Sequence, residues 1–289
     1  MTTELNRQDG CFRVGASAGT CFTDKVLEKF KQLAGDESFS KSTESLIEHM
    51  KKRTNCSTEF CILEKMKPHL AEDEYVENKK VMNPIGPAKT IEWLYDSDVE
   101  NFFAYHIHEK PNFIYTKCQY MSFVFNEMPP SNLDIIKVCE KRYKSNLKKS
   151  KDADPEIFIG TVLNTARDGG GEHWVPFLIQ YNVLTKKGSL EYFNSSGQGP
   201  DEEEDSPEVM EWINTFCDKR KKTEHKRKPR LKIKINKTQK QYGETECGLY
   251  SLFYIIHRIM GFTFEEFVHS KILDEKMMAF REKVFSANE

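Results

Sequence analysis

The chain has 289 residues, 38% hydrophobic and 12% aromatic, which is enough apolar surface for a sizeable core and excludes an intrinsically disordered protein. Its 43 Lys and Arg against 45 Asp and Glu leave a formal charge of -2, so the molecule as a whole is not a polyelectrolyte for coating nucleic acid and any basic surface is local. Eight cysteines with no CxxC pair, in a chain too long to need a disulfide framework, point to a reducing compartment.

From the N-terminus, Met1 to Thr20 carries Glu4, Arg7, Asp9 and Arg13 and no apolar run, so no secretory signal is expected. After Thr23 as a cap, Val26, Leu27, Phe30, Leu33 and Ala34 recur on one helical face, and Leu46, Ile47 and Met50 repeat the pattern. Two prolines and a glycine in the segment 82–87 interrupt helix and strand alike and place a domain boundary there, with helices over 1–85 and a second domain over 86–289. Residues 90–105 then read as a helix or a short strand feeding one.

Residues 158–163, 173–181, 190–194 and 231–235 are rich in β-formers. Ser206, Pro207 and Glu208 form a helix start leading into Val209, Trp212, Ile213 and Phe216. Residues 248–262 are the most apolar stretch, yet shorter than a membrane span and interrupted by His257 and Arg258, so they read as a buried helix. Strands and helices mix without regular βαβ alternation, which favours the α+β class.

Two charge runs flank the helix at 206. Residues 201–205 are all acidic, and the run that opens at Lys219 and closes at Lys237 holds eleven Lys or Arg in nineteen residues. Each is most simply a solvated loop or strand edge, while the basic run could also hold DNA by salt-sensitive phosphate contacts.

Three constellations invite a chemical reading. Gly15-Ala16-Ser17-Ala18-Gly19 matches the GxSxG elbow of serine hydrolases but lacks a sheet begun before it. His106 with His108, and Cys56 with Cys61, lack the remaining ligands of a zinc site, so surface and core roles are expected and no metal or cofactor.

The third can be built from spacing. His173 opens one β-rich run, Asn194 closes the next, and the turn signal at 185–188 lies between them, so a hairpin brings His173 and Asn194 to one sheet end. The Asn194 carboxamide oxygen would accept the imidazole Nδ1 proton and leave Nε2 as the base. Cys247 begins the buried helix, whose N-terminal dipole and free N–H groups favour thiolate. Gly248 leaves room for a substrate backbone. Gln241, six residues upstream, is placed to join the Cys247 N–H in holding an oxyanion. Glu244 and Glu246 oppose a low thiol pKa unless they point away.

This order, Gly171-Glu172-His173-Trp174, then Glu191 to Gly197 with Asn194 inside it, then Gln241-x5-Cys247-Gly248, resembles the cysteine proteases that process ubiquitin-like proteins, the SUMO-protease and adenain-like family. Within it the likeness is greatest to the polyprotein-processing proteases of large cytoplasmic DNA viruses of the African swine fever type. Val162-Leu163-Asn164-Thr165, residues 245–248 and 250–255 and a final helix at 274–285 carry that likeness, over roughly residues 87–285. Residues 1–85 resemble the viral arm domain only in length and loose pattern.

The resemblance implies a papain-like core with a mixed sheet and a buried helix carrying the nucleophile. It implies a Cys247, His173 and Asn194 triad, acyl-enzyme chemistry, and Trp93 and Trp174 as walls of a groove for Gly-Gly-type chains. Viral structural polyproteins would be the substrates, in the host cytoplasm and the virion, with no cofactor and no membrane. The alternatives are deconjugation of SUMO or another ubiquitin-like protein, and a nucleic-acid-binding virion protein that uses the basic run. Two departures stand out: Asn194 replaces the aspartate of cellular deconjugases, and Glu244 stands where the swine fever type has a second glutamine.

Overall fold

The computed structural model describes residues 20–35, 42–79, 82–106, 110–120, 132–165, 173–200, 209, 210, 213 and 230–286. The GxSxG motif at 15–19, His108, the acidic run and residues 219–229 of the basic run lie outside them, and so does the side chain of His106. Two compact units divide the chain. The first comprises Met1–Glu92, Asn101–His106 and Met278–Glu289, and the second Trp93–Glu100 and Ile107–Met277.

The first unit opens with four helices, α1 (Asp24–Ala34), α2 (Thr43–Thr54), α3 (Glu59–Met66) and α4 (Glu72–Lys79). Their apolar spacing does what the sequence suggests: Val26, Leu27 and Phe30 of α1 and Leu46, Ile47 and Met50 of α2 are buried in one cluster. Ser42 and Thr58 cap α2 and α3 through their side-chain oxygens, and Gly35 closes α1 at φ 69°. Cys56 and Cys61 form a disulfide between the end of α2 and α3, and Cys21 is also disulfide-bonded. Both pairings depart from the expectation of unbridged cysteines. The segment 82–87, expected at the boundary, lies inside this unit and runs along the chain end, with Ile85 bridged to Ser286 and Asn83 Nδ2 donating to the Lys283 carbonyl.

In the second unit a mixed sheet is built from β1 (Phe113–Tyr115), β2 (Gln119–Tyr120), β3 (Glu156–Asn164), β4 (Trp174–Asn182), β5 (Lys187–Tyr192) and β6 (Arg230–Ile235). The order is β1-β3-β4-β5-β6, with β2 also paired to β3; β3–β4 and β4–β5 are antiparallel and the other pairs parallel. The four β-rich runs of the sequence are β3 to β6. The fold is α+β, with the mixed sheet and buried helix that the sequence led us to expect.

The β4–β5 hairpin has Phe177 opposite Tyr192 and Asn182 opposite Lys187. Its turn is closed by the Asn182 carboxamide, which accepts the N–H groups of Leu184 and Thr185, and Lys186 takes φ 58°. One sheet face packs on α6 (Asn132–Leu147) through Ile135 and Cys139, together with Val209 and Ile213 of the short helical piece expected after Ser206. Against β4 and β3 lies α7 (Cys247–Ile259), buried over almost its whole length, followed by α8 (Phe264–His269). Two further helices, α5 (Asp96–His106) and α9 (Asp274–Val284), contribute residues to both units. Among the described residues no helix is long and apolar enough to cross a membrane, and no three His, Cys, Asp or Glu side chains cluster as a metal site requires.

Candidate active site

His173 directly precedes β4 and Asn194 follows β5 by two residues, so the hairpin register brings them to one sheet end, where His173 Nε2 lies 2.8 Å from Asn194 Oδ1. The ring is therefore oriented opposite to the sequence expectation. Nε2, not Nδ1, meets the carboxamide, and Nδ1 is left as the nitrogen that can act as a base. Spacing along the chain brings the residues together, but which ring nitrogen faces the partner depends on side-chain torsions that spacing does not encode.

Cys247 is the first residue of α7 and 3% exposed. Burial pushes its thiol up from the ordinary value and Glu246 adds to this, while the backbone N–H groups of Trp174, Gly248 and Cys247 itself pull it down. The upward effects prevail. Trp174 is the residue after His173, so this N–H places the sulfur beside the start of β4. Ser251, one turn into α7, donates toward the carbonyls of both Trp174 (3.0 Å) and Cys247 (2.9 Å), which further ties the helix start to that strand. Burial also pushes the His173 imidazole down, against the hydrogen bond to Asn194. Both shifts favour the uncharged forms. That runs against the thiolate expected from the helix dipole, desolvation of the buried sulfur being the largest effect on it.

Gln241 is buried. Its Oε1 accepts from Ser195 Oγ at 2.8 Å and its Nε2 donates to the Gly243 carbonyl at 2.9 Å. Glu244 is exposed, and the Glu246 carboxylate folds back to accept from the N–H and hydroxyl of Thr245.

With this geometry in place, comparison with known proteins decides the family. The profile of the Ulp1 protease family, C-terminal catalytic domain, matches residues 111–289. The chain belongs to the Ulp1 protease family. It is 30% identical over 156 residues to a SUMO-1 cysteine protease of African swine fever virus (isolate Pig/Kenya/KEN-50/1950), covering 54% of each chain. It is also 28% identical over 203 residues to a putative thiol protease of Acanthamoeba polyphaga mimivirus, covering 69% of this chain and 59% of that one. The chain thus spans about half the length of the curated relatives it matches. The crystal structure of an African swine fever virus protease has the same fold, with a TM-score of 0.66 and 21% identity over 98% of this chain and 97% of that one.

In this Ulp1-family chain Trp174 is 7% exposed, and its indole N–H donates to the Leu94 carbonyl at 2.8 Å, whereas Trp93 is 44% exposed. Trp174 therefore anchors the segment that presents Trp93. Gly248 is packed closely in turn. A Cβ there would lie 2.9 Å from Leu94 Cδ1, so the missing side chain is what lets Leu94 pack against the start of α7.

Sequence reasoning missed the groups that hold these parts in place. Glu191 of β5, fully buried, accepts from Arg258 Nε (2.7 Å) and Nη2 (2.9 Å), Tyr254 Oη (2.6 Å) and Ser189 Oγ (2.6 Å), which cross-links β5 to α7. The Arg258 that interrupts an apolar run was the signal. Phe193 stacks on Tyr254 at 4.7 Å between centroids. Asn236 Nδ2 donates to the Asn194 carbonyl at 2.7 Å. Asp274 accepts from the N–H groups of Tyr242 and Gly243 and from Tyr250 Oη, which orders the loop that carries Gln241.

Proposed function

We propose that this chain is a viral cysteine endopeptidase that cleaves structural polyproteins after Gly-Gly-type sites, in the host cytoplasm and the virion, with residues 1–85 as an arm domain and residues 86–289 as the protease core. The observation that carries the reading is the His173–Asn194 pair at one sheet end, one residue before the strand whose first N–H faces the Cys247 sulfur. In this reading His173 Nδ1 takes the thiol proton as sulfur attacks the scissile carbonyl. The oxyanion rests on the Cys247 N–H and on Gln241, whose carboxamide has a second N–H beyond the one given to Gly243. His173 returns its proton to the leaving amine, and water, deprotonated by the same imidazole, hydrolyses the thioester.

A thiol only 3% exposed suits a substrate without side chains at the cleaved bond, which is the physical reason to expect glycine there. The test offers a fluorogenic peptide ending in Gly-Gly to the protein and to Cys247→Ala. Turnover by the former alone is expected, and equal rates would remove the reading. The swine fever relative bears the name SUMO-1 cysteine protease, which favours a second reading, deconjugation of a ubiquitin-like protein. Vinyl-sulfone probes made from such modifiers separate the two, since only a deconjugase is labelled by a folded modifier better than by the peptide.

A further inference from the structure

Asn194 Oδ1 receives three groups at once: His173 Nε2 at 2.8 Å, the Ser196 backbone N–H at 2.9 Å and Ser196 Oγ at 2.8 Å. A backbone N–H can only donate, so the atom facing it must be the carboxamide oxygen. The nitrogen meeting that oxygen must then carry a hydrogen. A neutral imidazole has one, so His173 is held as the Nε2–H tautomer with Nδ1 bare. If the carboxamide were flipped, its NH2 would face the Ser196 N–H, donor against donor. It would also require Nε2 to accept, which moves the hydrogen to Nδ1 and removes the base.

We propose that Ser196 is a positioning residue: its two donors fix the Asn194 carboxamide and, through it, the tautomer that makes His173 a base. The proposal rests on the reading of Cys247, His173 and Asn194 as the catalytic set. An aspartate would present an oxygen whichever way it turned, so the need for an orienting group arises from the asparagine. The fold supports this role. Asn194 is fully buried, its backbone carbonyl is held by Asn236 Nδ2 and by the Gly197 N–H, and Gly197 adopts φ 82°, which lets the chain turn back so that residue 196 faces 194. The Ser196 hydroxyl lies nearer to Asn194 Oδ1 than to its other acceptor, Gln198 Oε1, at 3.3 Å.

The test combines nitrogen NMR with kinetics. In full-length Cys247→Ala labelled with 15N-histidine, above the imidazole pKa, His173 is expected to show the Nε2–H pattern. The further change Ser196→Ala is expected to introduce an Nδ1–H population. In the protein with its thiol, Ser196→Ala is expected to lower kcat about tenfold with KM unchanged, and Ser196→Thr, which keeps the hydroxyl, to restore it. With Asn194→Asp as background the loss shrinks to less than about twofold. An Nδ1–H pattern before any change at 196, a spectrum unmoved by Ser196→Ala, or an undiminished loss beside aspartate overturns the proposal. Absence of turnover in every form would instead sink the protease reading, and the spectrum still decides the role of Ser196.

Discussion

The two ends of helix α7 are built on opposite principles. At the far end, Glu191 and Arg258 are buried ions whose charges are answered within hydrogen-bonding distance, with Tyr254, Ser189 and Gln180 completing the set. At the near end, Cys247 and Asn194 are buried and His173 is half-buried, and desolvation favours the uncharged thiol and the uncharged imidazole. A fixed ion pair holds strand and helix in register. Roughly three helical turns separate Cys247 from Arg258.

The largest expected effect comes from breaking the lock. Glu191→Gln leaves the Arg258 guanidinium without its counter-charge, and a loss of about 3–5 kcal/mol in urea unfolding is expected. A loss under about 1 kcal/mol would show that the pair does not hold β5 and α7 together.

A smaller effect concerns pH. Burial among Phe253, Phe262 and Phe267 pushes His257 down to about 4. The unfolded chain takes up a proton near pH 6.5 while the folded one does so only near 4, so this group's stabilisation is present above 6.5 and is lost as pH falls toward 4. Between pH 7 and pH 5 the loss from His257 is about 2 kcal/mol. Unfolding measured at both pH values in the protein and in His257→Leu checks this. Equal acid losses in the two forms would place the sensitivity elsewhere.

Much of this arrangement was legible in the sequence, because its signals are local or periodic. The β4–β5 hairpin follows from two β-rich runs and a turn, and α7 from an apolar run with a cysteine at its head. The family resemblance then joined His173, Asn194 and Cys247. What was not legible depends on three-dimensional closeness or on torsions. Strands β1 and β2 have three and two residues, too few for a period to show. Helix α6 has Ile135 and Cys139 fully buried amid many lysines, so its apolar stripe is thin. The Cys56–Cys61 bridge needs a turn that places neighbouring helix ends together. The ring orientation of His173, the packing of Leu94 on Gly248 and the contacts of Ser196 with Asn194 all arise from side-chain placement.

The central claim is that His173 activates the Cys247 thiol, and alkylation tests it most directly. Iodoacetamide modification of Cys247 is followed by mass spectrometry from pH 5 to 9 in the protein and in His173→Ala, with the buried Cys139, whose thiol is pushed up to about 12, as an internal reference. The account predicts that at pH 7 Cys247 reacts at least about 10²-fold faster with His173 than without it, while Cys139 is indifferent. Equal Cys247 rates in both proteins at every pH would contradict it.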